Sequence, residues 1–234
     1  MRNEQGGQMI LKEIVRDSLT TPDLNKISQI QKNSLVEDLF RVVLNILPYG
    51  GAIEKSLDSM RDYQLYNFFR KFAKYLYGIS TFSVEERESF FAEVETVAKD
   101  DRGSILLEMV DSMDNINKLD IFANLTKARI SGDISIEDFF RIHSTLVRIP
   151  FPDLAELKKY DKDYYATDGS TEILFVSGAI RMRVIDDLND NRYVLTPIGR
   201  KLLVFGMSET VSLKDNVKGT DLKNSKIPYF EVIK

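Results

Sequence analysis

The chain of 234 residues is long enough for one large domain or two small ones. Its 32 Lys and Arg stand against 36 Asp and Glu, a net charge of -4 that exerts no overall pull toward nucleic acid or an anionic membrane. With no cysteine and one histidine, His143, it excludes disulfides, thiolate nucleophiles, cysteine-ligated metals and, within one chain, Ser-His, Cys-His and multi-His constellations.

The first residues, MRNEQGGQMILKEIVRDSL, do not read as a secretory signal, because no basic region precedes an apolar core and a small-residue cleavage site. The most apolar run, Leu39 to Leu47, contains Arg41 and is about half of the roughly 20 residues that span a bilayer. A soluble, cytoplasmic protein is expected. Residues 1–33 read as a polar arm, either loosely ordered or docked on a partner.

A helical domain is expected over 34–132. Leu35, Leu39, Val42, Val43, Ile46 and Leu47 recur at helical spacing behind Ser34, and Phe40 and Leu44 widen the stripe, so this helix should be buried between neighbours. Pro48-Tyr49-Gly50-Gly51 is a turn. A glycine pair before a helix can hold an anion, but a plain connection suffices. A long helix follows from Ala52 to Tyr77, with Phe68, Phe72 and Leu76 in its stripe. Arg70, Lys71 and Lys74 lie on a face expected to be solvated, and Gly78 serves as C-cap. The aromatics of this region, from Tyr63 and Tyr66 to Tyr77 and Phe82, exceed what one stripe buries. Either they meet helices on both sides or some form an interface. Ser83 and Glu86 make a capping box for a helix over 84–99. Another helix is expected over 104–130, ended by Gly132.

Carboxylates are dense from Glu85 to Asp114. A helical di-metal site needs Glu-x-x-His elements or inward acids on several helices. Neither is visible, so these acids read as solvated surface. Ser135 caps a helix over 136–148, where His143 sits among apolar residues as a structural side chain. Asp153 caps a short helix to about Tyr160, and Asp168 or Ser170 starts another through Ser177. Ile180, Met182 and Val184 alternate with Arg181, Arg183 and Ile185 as in a half-buried strand. Asp187 to Asn191 is a turn, and Tyr193-Val194-Leu195 returns. Thr196 then caps a helix with Pro197 at its first position and Leu202, Leu203 and Phe205 inward. Residues 207–234 read as an extended tail.

The residues Gly178-Ala179-Ile180, followed by Tyr193-Val194-Leu195-Thr196-Pro197-Ile198-Gly199-Arg200, resemble the pattern that closes many winged-helix modules. Glycine stops the third helix, Leu195 packs inward, Thr196 caps the last helix, and Gly199 lets that helix lie close to a strand. The fold class expected is therefore mainly α: an N-terminal bundle of long amphipathic helices, then a winged-helix-like module over 133–206 with short helices and one β-hairpin. The larger layout is similar to bacterial Abi-alpha-like proteins associated with abortive phage infection. It runs from an apolar helix through Pro48-Tyr49-Gly50-Gly51 and charged helices to a terminal L-T-P-x-G module. The resemblance implies a helical cytoplasmic protein and carries no catalytic residues.

No glycine-rich phosphate loop, nucleophile elbow or zinc motif occurs, so the chain is read as a non-enzyme without cofactor. The function expected is that of an interaction protein with a protein partner or itself, linked to phage defence. The alternative is a winged-helix DNA-binding regulator, whose contacts would fall to Lys158, Lys159, Lys162, Arg181, Arg183, Arg192 and Arg200. Against it, the third helix, STEILFVSG, holds no basic residue, and the wing carries Asp186, Asp187 and Asp190. Peripheral membrane contact is disfavoured.

Overall fold

The structure, a computed structural model, describes residues 17–18, 21, 24–27, 63–98, 105–162, 169–183 and 192–207. The expected helix over 34–47, the Pro48–Gly51 turn, the 187–191 turn and the tail beyond Met207 lie outside the described residues. The elements are helical apart from one two-stranded antiparallel hairpin. In chain order they are α1 (Leu24–Ile27), α2 (Tyr63–Ile79), α3 (Val84–Ala98), α4 (Ile105–Asp111), α5 (Lys118–Ile130), α6 (Ile136–Arg148), a 3-10 helix (Phe151–Asp161), α7 (Gly169–Val176), β1 (Ile180–Arg183), β2 (Arg192–Leu195) and α8 (Pro197–Lys201), which runs into a π turn over Leu202–Gly206. The fold is mainly α, a helical bundle followed by a short helix and hairpin module.

α2 packs along α5. Gly78 permits the approach: a Cβ on it would lie 2.3 Å from Ala123 Cβ. The helix continues through Gly78 to Ile79, so this glycine is a packing residue rather than the expected C-cap. The expected solvated face also differs. Lys71 is buried and donates to Asp111 O at 2.7 Å, and Lys74 reaches Asp120 at 2.9 Å, because α4 and α5 cover this end of α2. The aromatics turn inward: Phe69, Phe72 and Tyr75 are buried, while Tyr66, Phe68, Tyr77 and Phe82 pack against the core.

α3 opens on the expected capping box, with Glu86 N donating to Ser83 Oγ at 3.2 Å and Ser83 N to Glu86 Oε2 at 2.8 Å. The helix expected over 104–130 is broken at Ser112–Asn117 into α4 and α5. Short polar side chains there bond the backbone locally: Ser112 Oγ donates to Met109 O at 2.8 Å, and Asn117 N to Asn115 Oδ1 at 2.9 Å. Asp114 takes the wholly buried Lys118 Nζ at 2.5 Å. α5 ends at Gly132, whose φ of 80° allows bonds from Gly132 N to Arg129 O and from Asp133 N to Ala128 O.

Three further helices lead to the hairpin. Ser135 Oγ accepts from Asp138 N at 3.2 Å to start α6. Phe151, Leu154, Leu157 and Tyr160 recur every third residue, which places them on one side of a helix with three residues per turn. That repeat favours the 3-10 form. Asp153 does not cap it: its carboxylate accepts from Ser170 Oγ at 2.9 Å, which ties the start of α7. α7 ends at Gly178 (φ 83°), with Gly178 N bonded to Phe175 O and Ala179 N to Leu174 O.

One buried cluster runs from Leu24 to Met207 and includes residues on both sides of position 132. At its centre Phe122 stacks on Tyr75 (5.1 Å) and Phe139 (5.5 Å), and Phe90 meets Phe139 edge-on at 5.4 Å. Gly206 seats the π turn on α5, where Asn124 Nδ2 donates to its carbonyl at 3.0 Å. Among the described residues no helix is long and apolar enough to cross a membrane.

Candidate interaction surface

α7 has the sequence GSTEILFV, in which four apolar residues stand in a row. At about 100° per residue such a run wraps most of the helix circumference. The core accepts only part of it. Leu174 is fully buried and Ile173 half-buried, while Phe175 is 45% and Val176 72% exposed. The hairpin extends this surface. β1 and β2 pair in the register Ile180↔Leu195, Arg181↔Val194, Met182↔Tyr193 and Arg183↔Arg192. Opposed residues share a face, so Met182 stands beside Tyr193, whose ring meets Phe175 edge-on at 6.1 Å. Only Ile180 and Leu195 at the base are buried, and Met182 remains 40% exposed. The half-buried strand expected from alternation is therefore buried only at its root.

The opposite face of the ladder carries Arg181, Arg183 and Arg192 around Val194. The structure thus brings three of the seven sequence-assigned basic residues together. Lys158, Lys159 and Lys162 are exposed at the end of the 3-10 helix, a separate element on which β2 packs. Lys159 pairs with Glu156, and Arg200 Nη1 with Asp161 at 2.5 Å. The base of the hairpin is rigidly seated. Thr196 Oγ1 accepts from Gly199 N at 3.0 Å and donates toward the carbonyls of Gly178 (2.8 Å) and Ala179 (3.1 Å). A Cβ at Gly199 would fall 1.9 Å from Ala179 O, so the close strand approach expected of this glycine is real.

A groove of about 460 Å³ opens between α3 and the end of α5, lined by Glu85, Glu86, Ser89, Phe90, Ile130 and the Glu93–Arg129 pair. Its acids are engaged. Arg129 forks onto Glu93 with bonds of 3.0 and 2.5 Å, Glu86 closes the capping box, and backbone and Ser83 bonds hold the Glu85 carboxyl below its usual range. His143 is largely buried against Phe122 at 5.2 Å, with Nε2 3.1 Å from Met109 O. Burial lowers its pKa, so the neutral ring donates from Nε2 to that carbonyl and the side chain serves packing. Among the described residues no three acids or histidines gather as a metal site.

The exposed end of α7 is the part that sequence reasoning passed over. The ILFV run was its signal, legible as more apolar surface than one short helix buries. Comparison with family models, curated proteins and solved structures finds no match to this chain.

Proposed function

We propose that this chain is a non-enzymatic, cytoplasmic interaction protein that holds a protein partner on the surface formed by α7 and the hairpin. The observation that carries the reading is the grouping of Phe175, Val176 and Met182, three of the five large apolar side chains exposed among the described residues, at one place on a stably seated scaffold. The resemblance in layout to Abi-alpha-like proteins supports a link to phage defence. A photo-crosslinking residue at position 176 tests the surface in extract of native cells, with one at Glu88 on α3 as control. Protein adducts at 176 and none at 88 are expected; no adduct, or equal adducts at both sites, would overturn the reading.

The grouping of Arg181, Arg183 and Arg192 favours a second reading, a winged-helix-like module that lays its hairpin along nucleic acid phosphates. Its weakness is α7, whose only charged residue is Glu172. This reading requires a salt-dependent shift of a generic duplex at low ionic strength that Arg181→Glu abolishes. No shift at all would end it.

A further inference from the structure

The two strands of the hairpin have different neighbours on their outer edges. β2 packs on the 3-10 helix. On β1 the phase of the ladder decides which backbone groups face outward. Thr196 N donates to Ala179 O at 2.9 Å, and the register places these two residues opposite each other. Hydrogen-bonded pairs alternate along an antiparallel ladder, so Arg181 and Arg183 turn their N–H and C=O toward β2, while Ile180 and Met182 turn theirs away from it. Among the described residues nothing bonds these outward groups. Ile180 is only 2% exposed, a place where an unpaired amide or carbonyl is costly. An open strand edge of this kind accepts an extended segment as a third strand. Its side chains fix what that segment needs: an apolar residue beside Met182, on the face that carries Phe175, and an acid beside the exposed Arg181 on the other face.

We infer that Tyr229-Phe230-Glu231-Val232-Ile233 of this same chain pairs antiparallel with the outer edge of β1 and closes the apolar face of the hairpin. The segment consists of strand-forming residues around a single acid. With Glu231 opposite Arg181, Phe230 falls opposite Met182 and Val232 opposite Ile180, so each face of β1 meets its complement. The match uses one pair of neighbours and not the net charge of the hairpin, which Asp186, Asp187 and Asp190 offset. In this register the amides and carbonyls of Phe230 and Val232 satisfy those of Met182 and Ile180. Tyr229 lies 22 residues beyond Met207. At full extension that is about 70 Å of chain, more than the roughly 45 Å diameter of a folded chain of this length. The segment therefore reaches β1 of its own molecule, and a segment on the same chain outcompetes a free one of equal affinity. The docking stands apart from the partner-binding reading; its consequence, that a partner must displace residues 229–233, rests on that reading.

Hydrogen exchange of the full chain, resolved by residue in NMR spectra, provides the test. The Met182 amide should exchange at least about tenfold more slowly than an open edge allows. Val232→Pro removes the N–H that would bond Ile180 O and should abolish that protection. Ile233→Pro, whose N–H would point away from β1, should leave it, and the Arg181 amide, bonded within the hairpin, should stay protected in both variants. The chain holds no cysteine, so Met182→Cys with Phe230→Cys adds a selective probe. Residues opposed in a hydrogen-bonded pair have Cα atoms about 5.5 Å apart, within disulfide reach. That pair should oxidise within one molecule at least about tenfold faster than Met182→Cys with Glu231→Cys, whose side chain would lie on the other face. Fast exchange at Met182 in the unaltered chain, equal oxidation of the two cysteine pairs, or coupling between molecules instead of within one overturns the inference. Partner adducts from position 176 would then leave the partner-binding reading standing. Conversely, a protected Met182 with no adduct even in Val232→Pro upholds the docking and removes the partner. Where adducts form, Val232→Pro should raise their yield, and an unchanged yield overturns the displacement.

Discussion

Two glycines look alike in the sequence and differ in what they face. A Cβ at Gly78 would meet the Ala123 methyl at 2.3 Å, a side chain that can itself be shortened. A Cβ at Gly199 would meet the backbone oxygen of Ala179 at 1.9 Å, an atom held by the Thr196 amide and hydroxyl. Gly78→Ala should therefore cost about 1–3 kcal/mol, as overpacking of a tight core does. Ala123→Gly in the same chain should return part of it, less the cost of about 1 kcal/mol for glycine within a helix. Gly199→Ala should destabilise more, and no side-chain truncation should rescue it. Urea unfolding of the two single variants and the Gly78→Ala/Ala123→Gly double variant measures all of this. Equal costs at the two glycines, or no rescue at Gly78, would show that α2 and α5 or the hairpin base relax more readily than their packing implies.

At the scale of elements, Arg87 joins α1 to the rest of the molecule. Its wholly buried guanidinium donates to Asn25 Oδ1 at 2.6 Å, to Thr21 O at 2.8 Å and to the Phe82 carbonyl. Burial depresses its pKa while the neighbouring glutamates of α3 oppose the shift. Arg87→Met removes the donor, and a buried acceptor left unpaired costs about 1–3 kcal/mol. Thr21 and Asn25 can escape that cost by releasing α1 to water, at the loss of the buried Leu24, about 1.5–3 kcal/mol. The variant should thus lose amide-exchange protection at Leu24–Ile27 while α5 keeps its own; equal loss in both would mean that α1 is not separable. Arg87 also shows where sequence reading stops. The capping box at Ser83, the helix stop at Gly132 and the cap at Thr196 were legible because each depends on neighbours in sequence, whereas the approach of Gly199 to Ala179 across the hairpin was legible only through the resemblance to a winged-helix ending. The break at Ser112–Asn117 was hidden by a correct apolar spacing, since Met113 and Leu119 are buried whether or not the helix is continuous. Lys71 and Arg87 sat at polar positions of their helices, and only contacts 40 or more residues away, to Asp111, Thr21 and Asn25, draw them inside. Of the candidate surface, the arginine alternation was visible in the strand, whereas the exposure of Phe175 and Val176 depends on how much of α7 the core accepts.

At the scale of the whole molecule, His143 and Tyr75 are buried groups, among the described residues, whose shifted pKa values tilt stability with pH. Burial lowers the pKa of His143, so near and below the unfolded value of about 6.5 the unfolded chain binds more protons than the folded one. That contribution is complete above this pH and is lost as pH falls toward the folded value. Tyr75 is the mirror case. Burial raises its phenol pKa despite the Thr126 hydroxyl at 3.2 Å, so the folded chain holds its proton longer and stability declines as pH rises above about 10. Each group alone can tilt the stability by at most about 1.4 kcal/mol per pH unit within its window. The exposed Glu85 and Glu137, whose carboxyls sit below their usual range, act only at lower pH, below the carboxylate range of about 4.3, and leave the histidine window separate. Urea midpoints measured from pH 5 to 11 should form a plateau between about 6.5 and 10. His143→Gln, which keeps a donor for Met109 O, should flatten the acid side alone. Tyr75→Phe should flatten the alkaline side alone, because Thr126 still donates to Phe122 O at 3.1 Å. An acid slope that survives His143→Gln would mean that another group, outside this buried centre where Phe122 meets both rings, titrates in that window.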